Sequence, residues 1–239
     1  MKLEHDHSAA AIRARLDAGN KPNYVRDWVY GGIDGAVTTF AVIAGVVGAE
    51  LSTGTIIILG FANLFADGFS MAASNYSGTK TEVDDLSRLR LIERKHIANE
   101  PDGEREEVRQ ILTAKGLTGQ SLEDAVSAIT SNEETWIATM LADEYGQPQV
   151  VRSPFVSGLS TFAAFMICGL VPLLPYLFGV EDGFRTALAM TATVFFVIGA
   201  MKSLWSPQPW WRSGLETLVI GLLASSVAYA VGHFLKSLV

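Results

Sequence analysis

The sequence predicts an all-α, multi-pass membrane protein with five transmembrane helices and a cytosolic insert of three to four helices between the second and third. Three observations support this prediction. Of the 239 residues, 49% are hydrophobic, and the mean hydropathy is positive, which favours a membrane protein over a soluble domain. Long uncharged runs alternate with one highly charged segment between about residues 80 and 144. No segment shows the polar-apolar alternation that is typical of strands.

Five apolar stretches are each near the roughly 20 residues that a helix needs to cross about 30 Å of hydrocarbon. They cover about residues 28–49, 53–76, 154–178, 184–201 and 214–235. The third stretch carries no charged residue, and Pro172 and Pro175 should interrupt its helix near the far end. The sequence therefore predicts five spans, with a proline-induced break in the third.

Basic residues mark the cytosolic side of a membrane protein. They are concentrated before the first span and after the fourth: Lys2, Arg13, Arg15, Lys21, Arg26, Lys202 and Arg212. An odd number of spans then predicts a cytosolic N-terminus and a C-terminus on the opposite side. No cleavable secretory signal is visible, and the compact loops favour a bacterial inner membrane over a vacuolar one.

These signals predict four segments along the chain. A cytosolic tail (1–24) precedes transmembrane helices 1 and 2 (25–77), a cytosolic helical domain (78–151) follows, and transmembrane helices 3 to 5 (152–239) complete the chain. Within the cytosolic domain, one long helix should continue from the second span and break at Glu-Pro-Asp-Gly, 100–103. Three further helices are predicted. The first covers about 104–115, the second begins with Ser121 as N-cap, and the third covers about 131–145 and ends at Gly146.

Ionisable residues inside spans are costly and are functional candidates by default. Asp27 and Asp34 lie seven residues apart, on one face of the first helix, and Asn63, Asp67 and Met71 share a face of the second. Hard oxygen donors with one thioether favour Fe2+ and similar transition metals over Mg2+ or Ca2+. Structural alternatives remain open: Asp27 as an interfacial residue paired with a neighbouring base, both other aspartates as helix-helix hydrogen-bonding groups, and the methionine as core filler.

The predicted cytosolic domain carries a second set of donors, in pairs spaced three or four residues apart on three helices. The set consists of Glu93, His96, Glu104, Glu107, Met140 and Glu144. Three converging helices would form a carboxylate-rich metal site with one imidazole and one thioether. The alternative is a set of ordinary solvated helix faces. The N-terminal run from Glu4 to His7 is an additional metal-binding candidate or a plain polar tail.

Two long motifs resemble the vacuolar iron transporter family, whose members export Fe2+ and Mn2+ from the cytosol. The first is RDWVYGGIDG at 26–35, followed by Phe40-Ala41, and the second is ANLFADGFSMA at 62–72, with Tyr76 after it. The resemblance extends over nearly the whole chain, including the insert, and is weakest in spans three to five.

The resemblance implies a homodimer of five-span subunits, a pathway at the interface lined by the first helices, and proton-coupled antiport. Asp34 matches the family's central pathway aspartate, Met71 its pathway methionine, and Asp27 a second acid nearer the cytosol. The family's insert binds metal through side chains on three helices. By position, the resemblance implies that Glu93, His96, Glu104, Glu107, Met140 and Glu144 do so here. Departures are His96, where eukaryotic members have glutamate, Leu141, where some have a second methionine, and Asn63, at a position that can be acidic.

The sequence thus predicts a divalent metal transporter rather than an enzyme, with Fe2+ and Mn2+, and by extension Zn2+ or Co2+, as transported or bound ions. No prosthetic group is expected, and the lone Cys168 excludes a cysteine-based zinc site. A membrane-anchored metal sensor is the alternative, although anchors need no intramembrane carboxylates. A di-iron enzyme is disfavoured because Glu-x-x-His occurs only once, at Glu93 and His96.

Overall fold

The computed structural model describes residues 5–148 and 150–236, apart from the side chains of 228, 232, 235 and 236. Lys2 and Glu4 of the predicted tail therefore lie outside the described residues. The described chain is all-α and contains no strand. Its α-helices are α1 (Ala9–Ala18), α2 (Val25–Gly48), α3 (Thr53–Asn99), α4 (Pro101–Ala114), α5 (Gly119–Thr130), α6 (Glu133–Asp143), α7 (Pro154–Leu170), α8 (Leu174–Leu177), α9 (Gly183–Lys202) and α10 (Trp210–Lys236).

Among the residues that the structure describes, five helical segments are long and apolar enough to cross a membrane, as the hydropathy pattern predicts. They are Val25–Gly48, Thr53–Asn99, Pro154–Leu177, Gly183–Trp205 and Trp210–Val231. The third is interrupted where the two prolines predict it, because a 3-10 turn, Val171–Leu173, separates α7 from α8. The protein is therefore a multi-pass integral membrane protein.

The chain divides into two compact units. The membrane unit comprises Asn23–Thr79 and Ser153–Val239, and the insert unit comprises Met1–Pro22 and Lys80–Arg152. Helix α3 contributes residues to both units as one uninterrupted helix, as the sequence predicts. The cytosolic location of the insert unit stays a prediction.

Small residues let α2 pack directly against the backbone of α7 in the membrane unit. A Cβ atom added at Gly31 would lie 2.3 Å from the carbonyl oxygen of Thr161, and one at Gly35 would lie 2.4 Å from that of Phe165. Only glycine fits at such distances. This contact fixes the position of α2, which carries Asp27 and Asp34.

The insert unit folds α4, α5 and α6 around an apolar cluster: Val108, Leu112, Leu122, Val126, Trp136 and Met140. Two predicted helix starts are wrong. Helix α4 begins at Pro101 rather than at 104, because proline suits the first helical turn. Helix α5 begins at Gly119 after Thr118, and the hydroxyl of Ser121 instead donates to the Thr118 carbonyl at 3.0 Å.

The predicted N-terminal tail contains a helix that its polar composition did not indicate. Helix α1 opens with Ser8 as N-cap, and the Ser8 hydroxyl accepts a 3.3 Å hydrogen bond from the amide of Ala11. This cap satisfies one of the amides that a helix start leaves unpaired. None of the residues of α1 is buried.

Candidate metal pathway and insert cluster

The first two membrane-length helices bring together three of the predicted pathway residues. Asp34 on α2 is partly buried, and the carboxylate of Asp67 on α3 is close enough to repel it electrostatically. The Asn63 amide donates to the Thr38 hydroxyl at 3.3 Å, and that hydroxyl donates to the Asp34 carbonyl at 2.9 Å. Two carboxylates and the Asn63 amide group therefore lie on facing parts of α2 and α3.

Met71 lies one turn beyond Asp67 on α3 and is partly buried. Its side chain packs against the apolar cluster that includes Ile43, Leu64 and Phe165. This position is compatible with core packing and with a thioether at the edge of the carboxylate pair. A ligand role for Met71 stays a prediction.

Asp27 is buried, with only 1% of its surface exposed. The Nδ2 atom of Asn75 on α3 donates to its Oδ1 atom at 2.9 Å. The guanidinium of the adjacent Arg26 lies over the ring of Tyr30, 5.3 Å from its centroid. Asp27 therefore belongs to the packed interior of the membrane unit rather than to an exposed helix end.

Glu93 and Glu104 form the buried centre of the second predicted site, with 1% and 5% exposure. His96 lies beside both: its Nδ1 atom is 3.3 Å from Oε1 of Glu104 and 3.9 Å from Oε1 of Glu93. The two Oε2 atoms are buried and have no hydrogen-bond partner among the residues that the structure describes. Buried carboxylate oxygens without donors are costly, so this cluster favours a proton or a cation.

The acids of this site lie close enough together to raise the pKa of one another's carboxyl groups. Burial, followed by repulsion from Glu93 and Glu107, raises the pKa of Glu104 from 4.5 to about 7, against the opposing effect of His96. Burial and the same two carboxylates also raise the pKa of Glu144. We call the following five residues the insert cluster: Glu93, His96, Glu104, Glu107 and Glu144.

Tyr145 is a member of this site that the sequence did not indicate. Its hydroxyl donates a 2.9 Å hydrogen bond to Oε1 of Glu93. Burial and the Glu93 carboxylate raise the pKa of the Tyr145 phenol, so it remains a donor. The only sequence signal was its position directly after Glu144 and before Gly146, where the helix ends.

The sixth predicted ligand, Met140, is fully buried and packs in the apolar cluster beside Trp136 and Val108. Within the described part of the chain, no group of three or more histidine, cysteine, aspartate and glutamate side chains is already arranged to hold a metal ion. The insert cluster therefore brings acids and an imidazole together without a ready-made metal site, and metal binding by these residues stays a prediction.

Comparison with known proteins places the chain beside membrane transporters. The model of the VIT family matches residues 25–233. The chain is 32% identical to vacuolar iron transporter 1 of Tulipa gesneriana, over 89% of this chain and 87% of that protein. It is 30% identical to vacuolar iron transporter 2 of Oryza sativa subsp. japonica, over 90% of this chain and 88% of that protein. It is also 30% identical to a vacuolar iron transporter of Toxoplasma gondii, over 91% of this chain and 76% of that protein.

Proposed function

The chain belongs to the VIT family, and from this premise we propose that it is a transporter that exports divalent metal ions, Fe2+ or Mn2+, from the cytosol. The observation that carries the proposal is that two carboxylates, Asp34 on α2 and Asp67 on α3, lie in membrane-length helices close enough to repel one another. Two like charges at this depth are unfavourable without a cation or a proton. A divalent ion would neutralise both carboxylates at once.

We assign the transport pathway to Asp27, Asp34, Asn63, Asp67 and Met71. The carboxylate and amide oxygens suit hard divalent cations, and the thioether adds a preference for softer transition metals. Zn2+ and Co2+ fit the same donors as secondary ions. The names of the relatives support iron as the principal ion.

The insert cluster and Met140 would capture metal before transport. In support, Glu93 and Glu104 each keep a buried oxygen without a donor among the described residues, and Glu104 has a pKa of about 7. At neutral pH a cation can therefore displace a proton that is only weakly held. Capture by the insert unit raises the metal concentration available to the spans.

Proton antiport, a homodimer and a cytosolic N-terminus complete the proposal. A proton and a cation compete for the same carboxylate oxygens, so protonation from the opposite side would release the ion. The distribution of basic residues supports the orientation. Location in a bacterial inner membrane stays a prediction from the sequence.

The test is Fe2+ and Mn2+ flux into proteoliposomes, with wild type beside Asp34→Ala and a Glu104→Ala/Glu107→Ala variant. Loss of flux in the first variant and weaker flux in the second would support the two assigned roles. A pH gradient across the vesicle should change the rate. If the wild type binds metal and never moves it, the protein is a membrane-anchored metal-binding protein instead.

A further inference from the structure

One side chain, Asn75, joins three helices of the membrane unit. Its Nδ2 atom on α3 lies 2.9 Å from Oδ1 of Asp27 on α2. The same atom lies 2.7 Å from the hydroxyl oxygen of Thr161 and 3.2 Å from the carbonyl oxygen of Ser157, both on α7. The Asp27 carboxylate is therefore tied to α3 and α7 through one amide group.

The backbones around Asn75 leave it little freedom. A Cβ atom added at Gly158 would lie 2.9 Å from the carbonyl oxygen of Ala72 and 3.2 Å from Cβ of Tyr76, so α3 and α7 are in close contact there. The acceptors themselves are buried: Asp27 is 1%, Ser157 0% and Thr161 1% exposed. An amide held between such acceptors fixes the position of the carboxylate that it contacts.

The hydrogen bonds of Asn75 also depend on the charge of Asp27. An amide NH2 group has two hydrogens, and here three acceptors lie within reach. A hydrogen bond to an ionised carboxylate is stronger than one to a hydroxyl or a carbonyl. An ionised Asp27 carboxylate is therefore the strongest of the three acceptors around the Asn75 amide.

We propose that Asn75 is a positioning residue of the transport pathway, which holds the Asp27 carboxylate in place to receive the metal ion. The inference rests on the proposed transport function. A purely structural role for the same hydrogen bonds would link the helices without affecting how the protein handles metal. The two roles differ in what they predict for substrate affinity.

The experiment compares Mn2+ transport by wild type, Asn75→Leu, Asn75→Ser and the exchange variant Asp27→Asn/Asn75→Asp in proteoliposomes, with thermal unfolding of each in detergent. Ser74→Ala, an exposed neighbour on α3, is the matched control. Losing a hydrogen bond to a charged group predicts a KM about tenfold higher in the two single variants, with Vmax within about twofold. The exchange variant places a carboxylate beside the Ser157 carbonyl oxygen and removes the one on α2, so we expect it to regain neither the thermal stability nor the KM.

Unchanged KM in Asn75→Ser, or recovery of both stability and KM in the exchange variant, would overturn the inference and leave Asn75 a structural link. If Asn75→Leu fails to fold, the KM of Asn75→Ser still decides between the two roles. Absence of Mn2+ flux in the wild type would refute the transport function itself, a result distinct from normal flux with an indifferent Asn75.

Discussion

The Nδ1 atom of His96 lies 3.3 Å from Oε1 of Glu104, and the two residues come from different helices, α3 and α4. The imidazole is half-exposed, with 49% of its side chain accessible, whereas the carboxylate is buried. His96 therefore lies between solvent and the buried acids of the insert cluster. The charge of the insert cluster near neutral pH therefore depends on whether Glu104 is protonated.

We predict that the metal-free protein loses stability as the pH rises toward neutrality. Burial first, and then the neighbouring carboxylates, raise the pKa of Glu104 from 4.5 to about 7 in the folded protein. The folded state holds this proton more tightly than the unfolded chain does. Its contribution to stability is therefore complete below a pH of about 4.5 and is lost as the pH rises through about 7. Thermal unfolding in detergent with a chelator measures the effect.

Glu104→Gln should flatten this part of the stability profile, because glutamine cannot ionise. The matched control is Glu100→Gln, an exposed glutamate four residues earlier, which should keep the wild-type profile. An identical slope in Glu104→Gln and wild type would mean that Glu104 does not carry the pH dependence.

Replacing Tyr145 by phenylalanine should destabilise the insert unit. The change removes the 2.9 Å hydrogen bond to Glu93 and leaves that buried carboxylate oxygen without its donor, at a cost of about 1–3 kcal/mol. A double-mutant cycle with Glu93→Leu, which removes the acceptor oxygen, isolates the pair. We expect the two single changes to be non-additive in thermal unfolding. Strictly additive losses would show that the hydroxyl and the carboxylate do not stabilise one another.

Replacing glycines of α2 by alanine should change the stability of the protein in opposite directions, depending on whether the glycine contacts another helix. An alanine at Gly31 would bring its Cβ atom 2.3 Å from the Thr161 carbonyl oxygen, so α2 and α7 must separate, at a cost of about 1–3 kcal/mol. Gly45 has nothing within 4 Å of the same position. Gly45→Ala should therefore be neutral, or stabilise the helix by up to about 1 kcal/mol. Equal unfolding temperatures for the two variants would contradict the close packing.

The fold was predictable because the relevant signals are local. Hydrocarbon thickness fixes the length of a span, so hydropathy locates all five membrane-length helices. Proline fixes its own φ, and this explains why Pro172 and Pro175 predict the break after α7. Spacing within each helix placed Asp34 on one face of α2 and Asp67 on one face of α3, and their roles in a metal pathway stay a prediction.

Other features were out of reach because they depend on how distant segments pack. Tyr145 and Glu93 are 52 residues apart, and Asn75 and Asp27 are 48 residues apart, so periodicity within one helix cannot connect them. Burial of Met140 in an apolar cluster likewise follows from the arrangement of α4, α5 and α6. Helical spacing predicted that Met140 lies on a helix, which is α6. It could not show which side chains of α4 and α5 pack against this methionine.

Asp34 and Asp67, the two carboxylates on membrane-length helices, should act as a single ion site. If Asp34 and Asp67 share one ion, removing either charge leaves an incomplete site, and removing the second costs little more. We expect Asp34→Asn and Asp67→Asn each to lower the initial rate of Mn2+ flux at least about tenfold, and the double variant to resemble the slower single variant. Asp182→Asn, in the exposed turn before α9, is the control for a lost aspartate charge. Two independent ion sites would instead give losses that multiply, and flux measurements on the four proteins distinguish these cases directly.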